Sequence, residues 1–479
     1  MTSRSSSTLD FRALALSLAG LVLAQATLNG ADLSSREQEW VRAAERHERA
    51  GWIYLHVEGG PRERGFQHGY LLAHEISDCL RAARAHWVHN SSMEWSWLIK
   101  HSKGFIEPAN DAENRLELRG IAEGMSAAGI PMTYDEVVTY NAEIELTSYW
   151  WPLVQQKLAD NIDVVKAPRE SCSSFIATGH MTRDGGIVLG HNTMGDYIEA
   201  LANVIIDIKP EKGHRILMQT QPGWIHSGTD FFITDAGLVG SETTIGGFRH
   251  FSEKGIPEFS RMRRATQDAD NIEQWCAIMK KGNNGGYANA WLLGDVNHGK
   301  IARLELGLKY VGFEESNDGF FLGSNIAEDP HILRLETDSK DDDIRFSNVA
   351  RRVRWKQLMK EHAGRIDVEL GEKMEGDGYD CWLQKENPGS RTLAGHFELE
   401  PGVIVAGVPY RPAGTFDAKV VDSRMAKEMS FAARWGSADG IPFDAPAFLA
   451  AHPQHDWLQG YLKSRPTEPW VEFKAGEKP

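Results

Sequence analysis

The stretch RESCSSFIATGHMTRDGGIVLGHNTM, Arg169 to Met194, sets one cysteine beside three serines at the head of two short β-rich runs. The turn "TRDGG", Thr182–Gly186, separates the runs, and its aspartate and paired glycines are tight-turn chemistry. The segment therefore reads as a hairpin whose returning strand carries His191 and Asn192 back toward Cys172.

Working outward, "ALANVIIDIKP", "RILMQTQPGWI" and "GTDFFITDAGLVGSETTI" continue the strand-like pattern, and "NAWLLGD" with "KIARLELG" forms a second hairpin. Helical spacing returns at "DADNIEQWCAIMKK" and "RFSNVARRVRWKQLMKEHAG". Upstream, residues 36–89 read as long helical segments broken by "VEGGPRERG". "ENRLELRGIAEGMSAAG" adds a helix ending near Gly129, so the front third, to about Lys166, is predicted to be mainly α-helical. Strands, helices and strands again suggest stacked layers in one domain of α+β class.

The first residues carry an expected export signal over 1–26. Arg4 precedes an uncharged run from Ala13 to Ala24, and Ala24-Gln25-Ala26 supplies the small-x-small cleavage pattern, although Asp10 weakens the charge of the first region. The run is short for a bilayer span, so the expectation is a secreted or periplasmic protein, or one in a lysosome-like compartment in a eukaryote. A net charge of −15 without a basic stripe argues against a nucleic-acid partner. Four cysteines, Cys79, Cys172, Cys276 and Cys381, are too sparse for a disulfide scaffold and lack paired metal-ligand spacing. The acidic run Thr337–Asp343 lacks the calcium-loop pattern and reads as a solvated loop. No metal or other cofactor is expected.

Cys79, Cys276 and Cys381 fit the role of small core hydrophobes. Cys172 differs because it opens the first strand of the β-rich region. Were the Ser171–Cys172 bond cut, one residue would hold a thiol nucleophile and an α-amine of pKa about 7.7–8.0 to manage its proton. A side-chain amide at Asn192 would orient that amine or donate to developing negative charge, and the His191 imidazole would adjust the local proton balance.

"CSSFIATGHMTRDGGIVLGHNTMGDYIEALANVIIDI" resembles the nucleophile region of the phospholipase B-like, or laminin-ancestor-like, family. "GLVGSETTIGG", "NNGGYANAWLLGD" and "AGTFDAKVVDSRMAKEMSFAARWG" resemble its later blocks in order and separation, so the likeness covers most of residues 165–440. The front segments "RGFQHGYLL" and "ELRGIAEG" also resemble those of the cysteine acyltransferases that process penicillin precursors. The resemblance implies a four-layer αββα N-terminal-nucleophile (Ntn) hydrolase matured by cutting its own chain. Residues 27–171 would form a mainly helical front piece that stays associated, and 172–479 the catalytic piece.

It further implies Cys172 as nucleophile, with Ser171 and Cys172 flanking the cut. In the related penicillin and bile-salt amidases the matching strand carries an arginine, an asparagine and an aspartate. Here His191 replaces the arginine and Met194 stands at the aspartate position, where a thioether cannot take a proton. Glu242, Thr243 and Thr244 of "SETTIG" are candidates to line the pocket or orient the amine, or else satisfy their own strand end. Asn289 is the candidate oxyanion donor, with Asn283, Asn284 and Tyr287 behind it. Arg261 is a candidate for an anionic substrate group, as is Arg264, against the simpler reading of solvated helix charge.

The expected reaction is hydrolysis of an amide bond in an N-acylated small molecule or peptide through a thioacyl-enzyme. Deacylation of glycerophospholipids is the alternative. A serine hydrolase using Ser173 or Ser174 lacks the small-x-Ser-x-small elbow, and a non-enzymatic binding protein on the same fold is a further alternative. Expected partners are an acyl substrate and the chain's own front piece, with a homo-oligomer also open.

Overall fold

The computed structural model describes residues 33–158, 172–228, 231–402 and 408–478. The expected signal segment and Ser171 lie outside the described residues. The fold is mixed helix and sheet.

The larger sheet has nine strands. In spatial order they are Glu45–Arg49, Trp52–Gly59, Val204–Pro210, Ile216–Thr220, Phe231–Thr234, Leu238–Thr244, Asn289–Asp295, Lys300–Leu306 and Val311–Ser316. The smaller has six: Gly319–Gly323, Ser173–Thr178, Val188–Asp196, Ala413–Asp422, Ser430–Trp435 and Val471–Lys474. Neighbouring strands are antiparallel except Trp52–Gly59, which runs parallel to Val204–Pro210.

Alternation along each strand sorts side chains into layers. Ile176, Leu189 and Val421 of the smaller sheet meet Leu217, Ile233 and Leu292 of the larger one in a shared inner core. Val57, Ile206 and Met218 face the opposite way, under the front helices. Phe175, Val188 and Val420 lie on the outer face of the smaller sheet, against Trp355, Leu358 and Met359 of the helix Ser347–His362. The order is helix, sheet, sheet, helix, as expected from the sequence.

One segment departs from the expectation. Residues 45–59 form a β-hairpin rather than a helix. Ala50 and Gly51 both hold positive φ, 47° and 78°, which suits a two-residue turn between twisted strands. The run "WIYLHV" then alternates Trp52 and Tyr54 toward the inner core with Ile53, Leu55 and Val57 toward the helices. The front third thus supplies two strands of the larger sheet.

The helices Pro61–Leu71 and Ala112–Ala127 touch along glycines spaced four apart, Gly65 and Gly69 on one and Gly120 and Gly124 on the other. A Cβ on Gly65 would lie 1.9 Å from the Glu117 carbonyl oxygen, and one on Gly120 would lie 2.2 Å from that of Arg62. Only glycine permits this approach. Across the same contact the buried Arg64 bonds Glu117 at 2.8 Å.

Among the described residues no helix is long and apolar enough to cross a membrane. The acidic run is partly paired: Asp338 meets Arg249, Asp341 meets Arg334 and Asp343 meets Arg345.

Candidate active site

Cys172 is 2 % exposed and holds φ = +75°, in the left-handed region that non-glycine residues seldom occupy. The chain enters the strand Ser173–Thr178 through this turned residue. Its carbonyl oxygen accepts from Arg351 Nη1 at 2.5 Å. The guanidinium is fully buried, and it also donates to Asn325 Oδ1 at 2.7 Å and Ser347 Oγ at 3.1 Å. Asn325 in turn donates to the Thr244 carbonyl at 2.8 Å. One turn after Arg351, Trp355 Nε1 donates to Ser173 Oγ at 2.8 Å. Ser347, Arg351 and Trp355 recur at four-residue spacing, so a single stripe of one helix meets the Cys172-Ser173 dipeptide.

The remaining candidates divide by strand alternation. Ser174 faces inward, with its hydroxyl 2.7 Å from Ser241 Oγ of the opposite sheet. His191, directly across from Ser174, also faces inward. Its Nε2 lies 2.9 Å from the Glu242 carbonyl oxygen, which assigns the proton to that nitrogen. Burial, reinforced by the nearby Lys419 cation, holds the imidazole well below its usual range, so it is neutral. Asn192 points the opposite way. Its amide nitrogen donates to the Glu375 and Leu393 carbonyls at 2.8 and 2.9 Å, on the helix side of the sheet. Met194 joins Phe397 and Ala413 on that same side.

On the larger sheet, Thr243 faces inward against Gly323, while Glu242 faces the helices and accepts from the Tyr287 hydroxyl at 3.0 Å. Thr244 pairs across the ladder with Asn289. Asn289 is completely buried, and neither end of its amide has a hydrogen-bond partner among the described residues. Such a group is rare in a folded interior.

Asn283 and Asn284 brace the loop before this strand. Asn283 Nδ2 donates to the Gly307 carbonyl at 2.5 Å, and Asn284 Nδ2 donates to Glu145 Oε2 at 2.5 Å. Arg261 is buried, not solvated, and its guanidinium donates to the carbonyls of Ile256 and Met279 and to Asn283. Arg264 pairs with Glu113 and Asp268.

The structure therefore gathers Ser174, His191 and Thr243 between the sheets near Cys172. Asn192, Met194 and Glu242 are directed elsewhere, and Asn283 and Arg261 serve a loop. Sequence reasoning missed Arg351 and Asn325. It also missed a buried polar row formed by Thr193, Gln219, Asp417 and Lys419.

Cys79, Cys276 and Cys381 are buried free thiols, raised by burial to about 12, 12 and 11 respectively, which leaves them protonated and inert. His86, Asp196 and Glu199 cluster closely enough to suggest a metal. Yet the two carboxylates approach opposite ring nitrogens of His86, and Arg411 grips both oxygens of Asp196. This is the geometry of an ion-paired imidazolium, with His86 raised by those carboxylates against the effect of burial.

A turned, buried cysteine thus opens a strand of a layered helix–sheet–sheet–helix fold. Residues 117–311 match the Phospholipase B family model. An uncharacterized protein of Archaeoglobus fulgidus is 26% identical over 258 residues, 51% of this chain and 41% of that one. The putative phospholipase B-like 2 of Homo sapiens is 28% identical over 142 residues, 26% of this chain and 24% of that one. The chain thus covers less than half the length of these relatives. A crystal structure of a mutant conjugated bile acid hydrolase from Clostridium perfringens aligns at 12% identity, over 56% of this chain and 94% of that one, with a TM-score of 0.34. By these matches the chain is similar to the phospholipase B-like proteins over part of its length.

Proposed function

We propose that this protein is a hydrolase that uses Cys172 as a chain-initial nucleophile, exposed by scission of the Ser171–Cys172 bond. The observation that carries the reading is the setting of Cys172 itself. Its backbone is turned at φ = +75°, its carbonyl is held by Arg351, and a second polar strand row faces it. Attack of the Cys172 thiol on the Ser171 carbonyl breaks the peptide C–N bond, which frees the α-amine and leaves a thioester, and water then hydrolyses the thioester to a Ser171 carboxylate and the Cys172 thiol. In turnover the thiolate attacks an acyl carbonyl and water resolves the thioacyl-enzyme. Asn289, whose amide is unbonded among the described residues, is the candidate oxyanion donor, because it pairs with Thr244, whose carbonyl is joined through Asn325 and Arg351 to Cys172.

The favoured substrate is an N-acylated small molecule or peptide, because an α-ammonium on Cys172 can return a proton to a departing amine. The match to the Phospholipase B family model over residues 117–311 supports a second reading, acyl-ester cleavage of glycerophospholipids. The parallel ladder between Trp52–Gly59 and Val204–Pro210 would keep both fragments in one particle after the cut. Export, with removal of residues 1–26, fits this chemistry without being required by it.

Intact mass and N-terminal sequencing of purified protein test the first claim. Two fragments, the larger beginning at Cys172, are expected, and Cys172→Ala should abolish both scission and turnover. A fully active continuous chain would refute it. Release assays with acylated amines beside monomeric phospholipid then separate the two substrate classes.

A further inference from the structure

The missing proton acceptor at Met194 leaves a mechanistic gap, because Met194 lies on the outer face of its strand among apolar neighbours. The inner face of the same strand offers another group. Ser173 is directly opposite Asn192, and Ser174 opposite His191. Continuing that antiparallel register by one residue sets Cys172 beside Thr193. Directly opposite side chains on one face approach to about 4.5–5.5 Å between Cβ atoms.

Thr193 is itself held from the other side. The next strand places Asp417 opposite Thr193 and Lys419 opposite His191. Thr193 Oγ1 donates to Asp417 Oδ1 at 3.1 Å and accepts from Lys419 Nζ at 2.5 Å. Lys419 bonds Asp417 at 2.6 Å, and both are fully buried. Gln219 and Asn203 donate to the other carboxylate oxygen of Asp417. A buried ion pair is costly unless its geometry is fully satisfied. Here the satisfied network fixes the rotation of one hydroxyl. With its proton directed to Asp417, or to Gln219 Oε1 at 3.3 Å, that hydroxyl can offer Cys172 only an acceptor.

We propose that Thr193 is a further catalytic residue, set by the buried Asp417–Lys419 pair to receive a hydrogen bond from the α-amino group of Cys172. The inference rests on Cys172 being the chain-initial nucleophile. In the activation step the S–H bond breaks and its proton forms a new N–H bond on the α-amine of the same residue. The products are thiolate and ammonium. The ammonium donates to Thr193 Oγ1, which stabilises the ion pair without itself changing protonation. On collapse of the tetrahedral species the ammonium gives that proton to the leaving nitrogen. Other charged or titratable groups around this row are Arg351 at the Cys172 carbonyl, the neutral His191, the buried Arg465 that interacts with Asp417, and Glu375, buried on the opposite face of the sheet.

The test compares Thr193→Val, which removes the hydroxyl at constant shape, with Thr193→Ser, which keeps it. The readout is the rate of Cys172 alkylation by iodoacetamide against pH, with the chain-initial residue sequenced in each sample. The valine variant should alkylate at least tenfold more slowly at pH 7, with its inflection displaced upward, and serine should restore the parent profile. A chain-initial Cys172 in the valine variant with the parent rate and inflection would overturn the proposal while leaving the nucleophile assignment intact. A parent protein whose Cys172 is never chain-initial would overturn both. Should the valine variant fail to fold, an experimental structure of the mature parent decides. A Thr193 Oγ1 to Cys172 nitrogen distance within 3.5 Å supports the proposal, and one beyond 5 Å refutes it.

Discussion

Replacing Asn289 with leucine separates a catalytic role from a structural one. The side chain is fully buried on the strand Asn289–Asp295, with neither amide end bonded among the described residues. A buried polar group without a partner costs about 1–3 kcal/mol relative to a well-packed apolar one. Leucine fills nearly the same space, so Asn289→Leu should stabilise the protein by about 1–3 kcal/mol. Urea unfolding reads this as a higher midpoint at unchanged slope. If the amide serves the oxyanion, the same change should lower turnover about 10²–10³-fold, the cost of removing one such donor. A gain in stability with a loss of activity is the signature of a group kept for chemistry. A variant destabilised by more than ~1 kcal/mol would show that the amide is satisfied in solution. A stable variant with unchanged turnover would remove Asn289 from the mechanism.

Arg351→Met should destabilise by about 3–5 kcal/mol in urea, since charge-assisted bonds to the Cys172 carbonyl and Asn325 are lost in a fully buried site. It should also slow scission, as read by intact mass. Gly65→Ala and Gly120→Ala should each cost roughly 3 kcal/mol or more in the same assay, because the added methyl meets rigid backbone rather than a side chain. Gly104→Ala, with open space around it in the helix Trp95–Ala109, should instead gain about 0.5–1 kcal/mol. His396 lies between Glu398 at 2.8 Å and Asp439 at 3.0 Å, and these carboxylates outweigh burial to raise it to about 10. Because the folded value exceeds the ordinary one, this stabilisation is full below about pH 6.5 and lost as pH rises through 10. His396→Gln should flatten that alkaline fall in a series of urea midpoints.

The strands around Cys172 were legible because turn residues and short β-rich runs alternate there without ambiguity. The hairpin at residues 45–59 was not, since "ERHER" is polar throughout and its partner strand is buried on both faces, which hides the alternation. Period-two logic applied to "GHNTM" already separates His191 and Thr193 from Asn192 and Met194. The family resemblance drew attention to His191, Asn192 and Met194 and passed over Thr193. Arg351 carried a fainter signal. It lies in line with Ser347 and Trp355 on one helix face, but nothing local reveals that this face meets a strand 179 residues upstream. Arg261, a candidate for an anionic substrate group against the reading of solvated helix charge, is buried by partners at Ile256, Met279 and Asn283 that come together only in the fold.

The helix that grips Cys172 lies near residue 350, and the strand bearing Lys419 lies later still. On the ribosome, a nascent chain that has emerged only as far as the hairpin Ser173–Asp196 therefore carries this thiol without its seat. The cysteine acquires its surroundings only after the chain through Lys419 has been made, so any chemistry that depends on them is withheld until that part of the sandwich has closed over it.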